Sequence, residues 1–138
     1  KGVATMTGKT GSLRWMAPEV IMCEKYNEKV DVYSFGVVAW EMYSSDVPYS
    51  ALNVVQVALS VTRGQRPVIP HCCGQDVKDL ITHCWSDSQT TRPSFIEIAA
   101  ECQRIHEDNQ ATRPVSSDRT FHSIREDLSF HSPGSGGG

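Results

Sequence analysis

The chain has 138 residues, 39% apolar and 21% charged, and 13 lysines and arginines against 16 aspartates and glutamates leave a formal net charge of -3. That balance gives no electrostatic basis for binding nucleic acid, whose partners present strongly basic surfaces. The longest apolar run, Val37-Val38-Ala39-Trp40, stops at Glu41, far short of the ~20 residues that a membrane-spanning helix needs.

In chain order, residues 1–17 are rich in Gly, Thr and Lys without a periodic apolar face, and read as a loop. Pro18 suits the first turn of a short helix running into Val20, Ile21 and Met22. Asn27 is placed to cap the next helix, from Glu28 to about Tyr43. Val30, Val32, Phe35, Val37, Val38, Ala39, Trp40 and Met42 leave that helix almost no polar face, so it belongs inside a core. Ser44 to Ser50 is turn-rich, a helix follows from about Leu52 to Thr62, and Gly64 is a reasonable stop. Pro67 to Gly74 is again a loop.

Val77, Leu80, Ile81, Cys84 and Trp85 then recur at amphipathic helical spacing. Ser94-Phe95-Ile96-Glu97 has the spacing of a capping box. Behind it, Phe95, Ile98, Ala99, Cys102 and Ile105 form one stripe, predicting a last helix that ends near His106. No segment alternates with period two, so the expected fold is mainly α. From Asp108 onward, serines and a terminal glycine run point to a flexible tail, favoured over a docking helix faced by Phe121, Ile124 and Leu128. His106, His122 and His131 have no partner pattern and read as solvent-exposed.

The five cysteines, at 23, 72, 73, 84 and 102, are odd in number and include an adjacent pair, which suits neither a disulfide framework nor a metal knuckle. His71, Cys72, Cys73, His83 and Cys84 supply ligand types for zinc, but adjacent cysteines splay apart and the helical pattern buries Cys84 beside Trp85. Reduced thiols in a cytoplasmic protein are the favoured reading. The first residue is Lys and nothing resembles a signal peptide, so the true N-terminus is expected upstream.

Four motifs come in a telling order: Gly11-Ser-Leu-Arg-Trp-Met-Ala-Pro-Glu19, Asp31-Val-Tyr-Ser-Phe-Gly36, Cys84-Trp85 and Arg92-Pro-Ser-Phe95. The first resembles the end of a protein-kinase activation segment, which closes on Ala-Pro-Glu. Together they resemble the C-terminal lobe of a kinase over about residues 5–106, with residues 1–106 as the domain part and 107–138 as the tail. Leu13-Arg14-Trp15, without the proline and lysine usual in tyrosine kinases, is similar to the tyrosine-kinase-like group, whose members mostly phosphorylate Ser and Thr.

The resemblance implies a protein Ser/Thr kinase that uses ATP and Mg2+. The Gly-rich phosphate loop, strand lysine, His-Arg-Asp loop and Asp-Phe-Gly are not in these 138 residues, so both would be bound elsewhere and the fragment alone is expected to be inactive. The alternative is a pseudokinase or a truncated lobe serving as a binding scaffold. By resemblance, Ser12 bridges the catalytic aspartate and its lysine, while Leu13, Arg14 and Trp15 wall the pocket for the substrate residue after the phosphoacceptor. Glu19 and Arg92 are implied to form a buried ion pair. Asp31 is implied to receive catalytic-loop amides, with an exposed place on the first helical turn as the rival explanation. Thr5, Thr7 and Thr10 are candidate activating phosphorylation sites. Protein substrates are the implied partners, with docking possible at the 52–62 helix, whose apolar residues could equally pack inward.

Overall fold

The computed structural model describes residues 12–112. A 3-10 turn, Leu13–Trp15, leads into five helices: α1 Pro18–Ile21, α2 Lys29–Ser44, α3 Val54–Thr62, α4 Gln75–Cys84 and α5 Phe95–Ala111. A second 3-10 turn, Gln89–Thr91, precedes α5. No strand occurs among the described residues, so the mainly α expectation holds. The tail beyond Thr112, with Phe121, Ile124 and Leu128, lies outside them.

Helix α2 is the axis. Tyr33, Val37 and Trp40 meet Leu13 and Ala17 from the N-terminal segment, Val57 and Val61 of α3, and Ile81 and Trp85 around α4. The Trp40 indole N–H donates to the Val68 carbonyl at 2.8 Å, which satisfies its polar edge inside the core. A second cluster joins Val32, Cys84 and Ile98, and burial pushes the Cys84 thiol up to about 12. Phe35 meets Phe95 edge to face at 6.1 Å.

Helices α2 and α4 pack tightly at Gly36, where an added Cβ would lie 2.8 Å from the Cys84 Cβ. At Gly64 the backbone takes a left-handed φ of 76°, which stops α3 where expected.

Helix ends differ from expectation by a few residues, for local reasons. Asn27 Oδ1 accepts the Lys29 amide at 2.9 Å, so the regular turns of α2 begin one residue later than expected. The start of α3 shifts from Leu52 to Val54 because Asn53 and Gln56 form a reciprocal capping box. The box at Ser94 and Glu97 forms as read. Past His106, α5 continues to Ala111, where Gln103 bonds Glu107 and Arg104 pairs with Asp108 across the last turns.

One expectation fails: α2 is not enclosed on all sides. Val38 and Met42 stand exposed, Met42 at 76%. Of the predicted α5 stripe only Ile98 is buried, while Ile105 is half-buried and Phe95, Ala99 and Cys102 are exposed. Val38, Met42, Cys102 and Ile105 line, with Phe35 and Leu80, a groove of about 390 Å³ between α2, α4 and α5. Its apolar walls meet no further element among the described residues.

Two consequences can be measured. The isolated 138-residue chain should bind a hydrophobic dye and melt without a sharp cooperative transition; a steep two-state melt would contradict this. Within the intact domain, Gly36→Ala should lower the unfolding free energy by about 1–3 kcal/mol, read from denaturant titration.

Candidate functional site: the 12–19 segment tied to the helical core

Residues 12–19 fold over α2 and are fastened by side chains from distant parts of the chain. The 3-10 turn closes through Trp15 N–H to the Ser12 carbonyl and Met16 N–H to the Leu13 carbonyl, both 3.1 Å. Leu13 is buried in the core. The Ser34 hydroxyl of α2 donates to the Trp15 carbonyl at 2.8 Å, and the Trp15 indole N–H donates to Glu41 Oε2 at 3.1 Å. Arg14 turns to the opposite wall, with Nη1 donating to the carbonyls of Pro48 (2.9 Å) and Tyr49 (2.5 Å) and Nη2 to that of Leu52 (2.9 Å).

The Ala-Pro-Glu segment is locked by charge. Ala17 is extended, and Pro18 opens α1 at the position where its missing N–H costs nothing. Arg92 binds Glu19 through two parallel bonds, Nη1 to Oε1 at 2.6 Å and Nη2 to Oε2 at 2.9 Å. Glu19 and Arg92 are 3% and 2% exposed. The remaining Arg92 donors reach backbone carbonyls, Nε to Ser86 at 2.8 Å and Nη1 to Lys29 at 3.1 Å. Burial alone would raise the Glu19 carboxyl, but the hydrogen bonds and charge of Arg92 hold it below its ordinary value. The buried pair implied by sequence is therefore present.

Sequence reading missed the residues that fasten this pair. Lys29 Nζ donates to the Arg92 carbonyl at 2.8 Å. The Arg66 and Arg92 guanidinium carbons lie 5.0 and 5.1 Å from the centre of the Tyr33 ring, so one ring stacks against two cations. Arg66 also donates to the Val61 and Trp85 carbonyls and pairs with Asp87. A lone Arg in Gly64-Gln-Arg-Pro67 carries no spacing signal. Glu41, on an otherwise apolar turn of α2, was a signal that could have been used.

Asp31 sits exposed on the first turn of α2, where the helix dipole favours a carboxylate. It is not brought against Ser12–Trp15 by any described contact. On α3, Val57 and Val61 point into the core while Val55 and Leu59 are exposed, so the helix both packs inward and leaves an apolar outer face. Cys72 is exposed and Cys73 and Cys84 are buried, all as free thiols. Among the described residues no group of three His, Cys, Asp or Glu is placed to hold a metal ion, and no helix is long and apolar enough to cross a membrane. Thr5, Thr7 and Thr10 lie outside the described residues.

Removing one partner of the buried pair strands the other charge. Arg92→Ala or Glu19→Ala should cost about 3–5 kcal/mol within the intact domain, measured by denaturant unfolding. Because the folded Glu19 carboxyl lies below its unfolded value near 4.5, its contribution is complete above that pH and is lost as the pH falls through the folded value. Glu19→Gln should flatten this acid limb, and an unchanged limb would remove Glu19 as its source.

Comparison with known proteins gives the wider frame. A family model described as protein tyrosine and serine/threonine kinase matches residues 3–102. A probable serine/threonine-protein kinase of Dictyostelium discoideum is 48% identical over 94 residues, covering 67% of this chain and 10% of that protein. The serine/threonine/tyrosine-protein kinase HT1 of Arabidopsis thaliana is 35% identical over 128 residues, 92% of this chain and 33% of its own length. Serine/threonine-protein kinase STY46 of the same plant is 41% identical over 101 residues, 72% of this chain and 18% of its own. The chain thus spans a third or less of these relatives. The helical architecture and the family match agree with the motif series: this chain belongs to the protein tyrosine and serine/threonine kinase family, as a helical part of its C-terminal lobe resembling the tyrosine-kinase-like group.

Proposed function

We propose that this chain is the acceptor-binding and structural part of a protein Ser/Thr kinase that transfers the ATP γ-phosphoryl group to Ser or Thr hydroxyls of proteins. The observation that carries this reading is the fastening of Ser12–Glu19. The segment is held by a buried bidentate ion pair at one end and by Arg14, Trp15 and Leu13 at the other. Phosphoryl transfer depends on positioning more than on covalent help from the protein, so a rigid acceptor wall is a functional asset.

The roles are those that the resemblance implies for these positions. Leu13, Arg14 and Trp15 wall the pocket for the residue after the phosphoacceptor, and Ser12 bridges the catalytic aspartate and its lysine, both outside this chain. Asp31, exposed on α2, is free to accept amides of a catalytic loop outside the described residues. Thr7 and Thr10 are the leading activating phosphorylation sites, with Thr5 behind them. ATP and Mg2+ are assigned to residues outside this chain, because the Gly-rich loop, strand lysine, His-Arg-Asp and Asp-Phe-Gly motifs are not among its 138 residues. A cytoplasmic location is proposed from the sequence, whose five cysteines are odd in number and include an adjacent pair.

The test is made on the full-length kinase with peptide arrays differing only in Ser, Thr or Tyr at the acceptor. Ser and Thr peptides should be phosphorylated and Tyr peptides should not. Ser12→Ala should lower kcat/KM by about tenfold to a hundredfold, and Ser12→Thr should retain most activity. Equal use of Tyr peptides, or a silent Ser12→Ala, would sink the reading.

A further inference from the structure

Arg14 uses its guanidinium in a way that the peptide-wall role alone does not require. A side chain on a substrate wall would be expected to face the substrate, yet this one spans three backbone carbonyls, those of Pro48, Tyr49 and Leu52, at 2.9, 2.5 and 2.9 Å. The acceptors are neutral, so the contact is set by shape: a flat fork of donors meets a fixed set of oxygens.

The receiving segment is prepared for it. Tyr49 adopts a left-handed backbone, φ 54°, which is unfavourable for a non-glycine residue and persists only where its surroundings demand it. This bend breaks the usual alternation of successive carbonyls, so those of Pro48 and Tyr49 both reach Nη1. Pro48 is fully buried, and the Tyr49 hydroxyl donates to the Gln65 carbonyl at 3.0 Å. Leu52 directly precedes the capping box of Asn53 that starts α3. The clamp therefore joins the 13–15 turn to a rigid, strained connection between α2 and α3.

We propose that Arg14 is a positioning residue for the acceptor peptide, fixing the separation of the 13–15 wall from residues 48–52 and thereby setting which side chain fits after the phosphoacceptor. This deepens the peptide-wall reading and rests on it. Lysine is not equivalent here, because one ammonium on a flexible stem cannot hold three carbonyls in a plane.

The experiment uses the full-length kinase and a peptide set degenerate at the residue after the phosphoacceptor. Arg14→Met and Arg14→Lys are compared with the parent for peptide KM, ATP KM, selectivity and melting temperature. Both variants should raise the peptide KM by about tenfold or more, out of proportion to any fall in kcat. Selectivity at that peptide position should flatten, and the ATP KM should stay put. Arg14→Lys keeps the stem and charge, and so preserves the test if Arg14→Met does not fold. Unchanged peptide KM and selectivity in Arg14→Lys, or parallel rises in ATP and peptide KM with a lowered melting temperature, would overturn the positioning role. Trp15→Ala separates the two levels. If it shifts selectivity while the Arg14 variants do not, the wall stands and only the clamp fails. If neither shifts it, the wall reading fails as well.

Discussion

The buried pair between Glu19 and Arg92 is the constraint on which the rest depends. The two residues stand 73 apart in sequence, and their union fixes the start of α1 to the loop between α4 and α5. Two charges leaving water lose several kcal/mol of solvation each, which their attraction need not recover. The value of the pair is geometric. Both carboxylate oxygens are bonded to the same guanidinium, and the other Arg92 donors are taken by carbonyls of 29, 86 and 87. Three chain segments consequently converge on one planar group, and the Ala-Pro-Glu corner has one position to occupy.

Tyr33 carries this constraint into the core. Its ring has Arg92 on one side and Arg66 near it, so the buried ion pair and the turn after α3 share one aromatic surface. Burial raises the Tyr33 hydroxyl well above its ordinary value, leaving the ring neutral and available to the cations throughout the physiological range. The companion pair, Arg66 with Asp87, is a lesser contributor because Asp87 is 68% exposed and solvent screens such contacts. What Arg66 adds is reach: it ties the carbonyls of Val61 and Trp85 across the gap between α3 and α4.

Much of this was legible in sequence where a local rule decides the outcome. Pro18, Gly64 and the Ser94–Glu97 box mark helix ends because each acts on its own backbone. The apolar spacing of Val77, Leu80, Ile81, Cys84 and Trp85 predicts α4 because amphipathic period is a local signal. The Asn53–Gln56 box was equally readable, since it has the same spacing with an amide at each end. The Glu19–Arg92 pair came from family resemblance, as no spacing rule joins residues 73 apart. The Arg14 clamp and the double stack on Tyr33 were not legible, because their partners are backbone carbonyls and a ring face, which leave no residue-type signature.

The composition of α2 reflects the two jobs the helix performs. Its inner side supplies Tyr33, Val37 and Trp40 to the core, while Ser34 and Glu41 reach out to hold the 12–19 segment at the Trp15 carbonyl and indole. Among the described residues the remaining side, with Val38 and Met42, meets only the open groove. Apolar surface left in water forgoes roughly 25 cal/mol per Å², and nothing in helix formation itself calls for Val38 and Met42 there. A helix with apolar residues on this side as well is suited to a larger assembly, in which its inner and outer faces are both covered and the 12–19 segment rests on a fully enclosed axis. On that view the rigidity of the 12–19 segment is borrowed: Ser34 and Glu41 can hold Trp15 only as firmly as α2 is itself held.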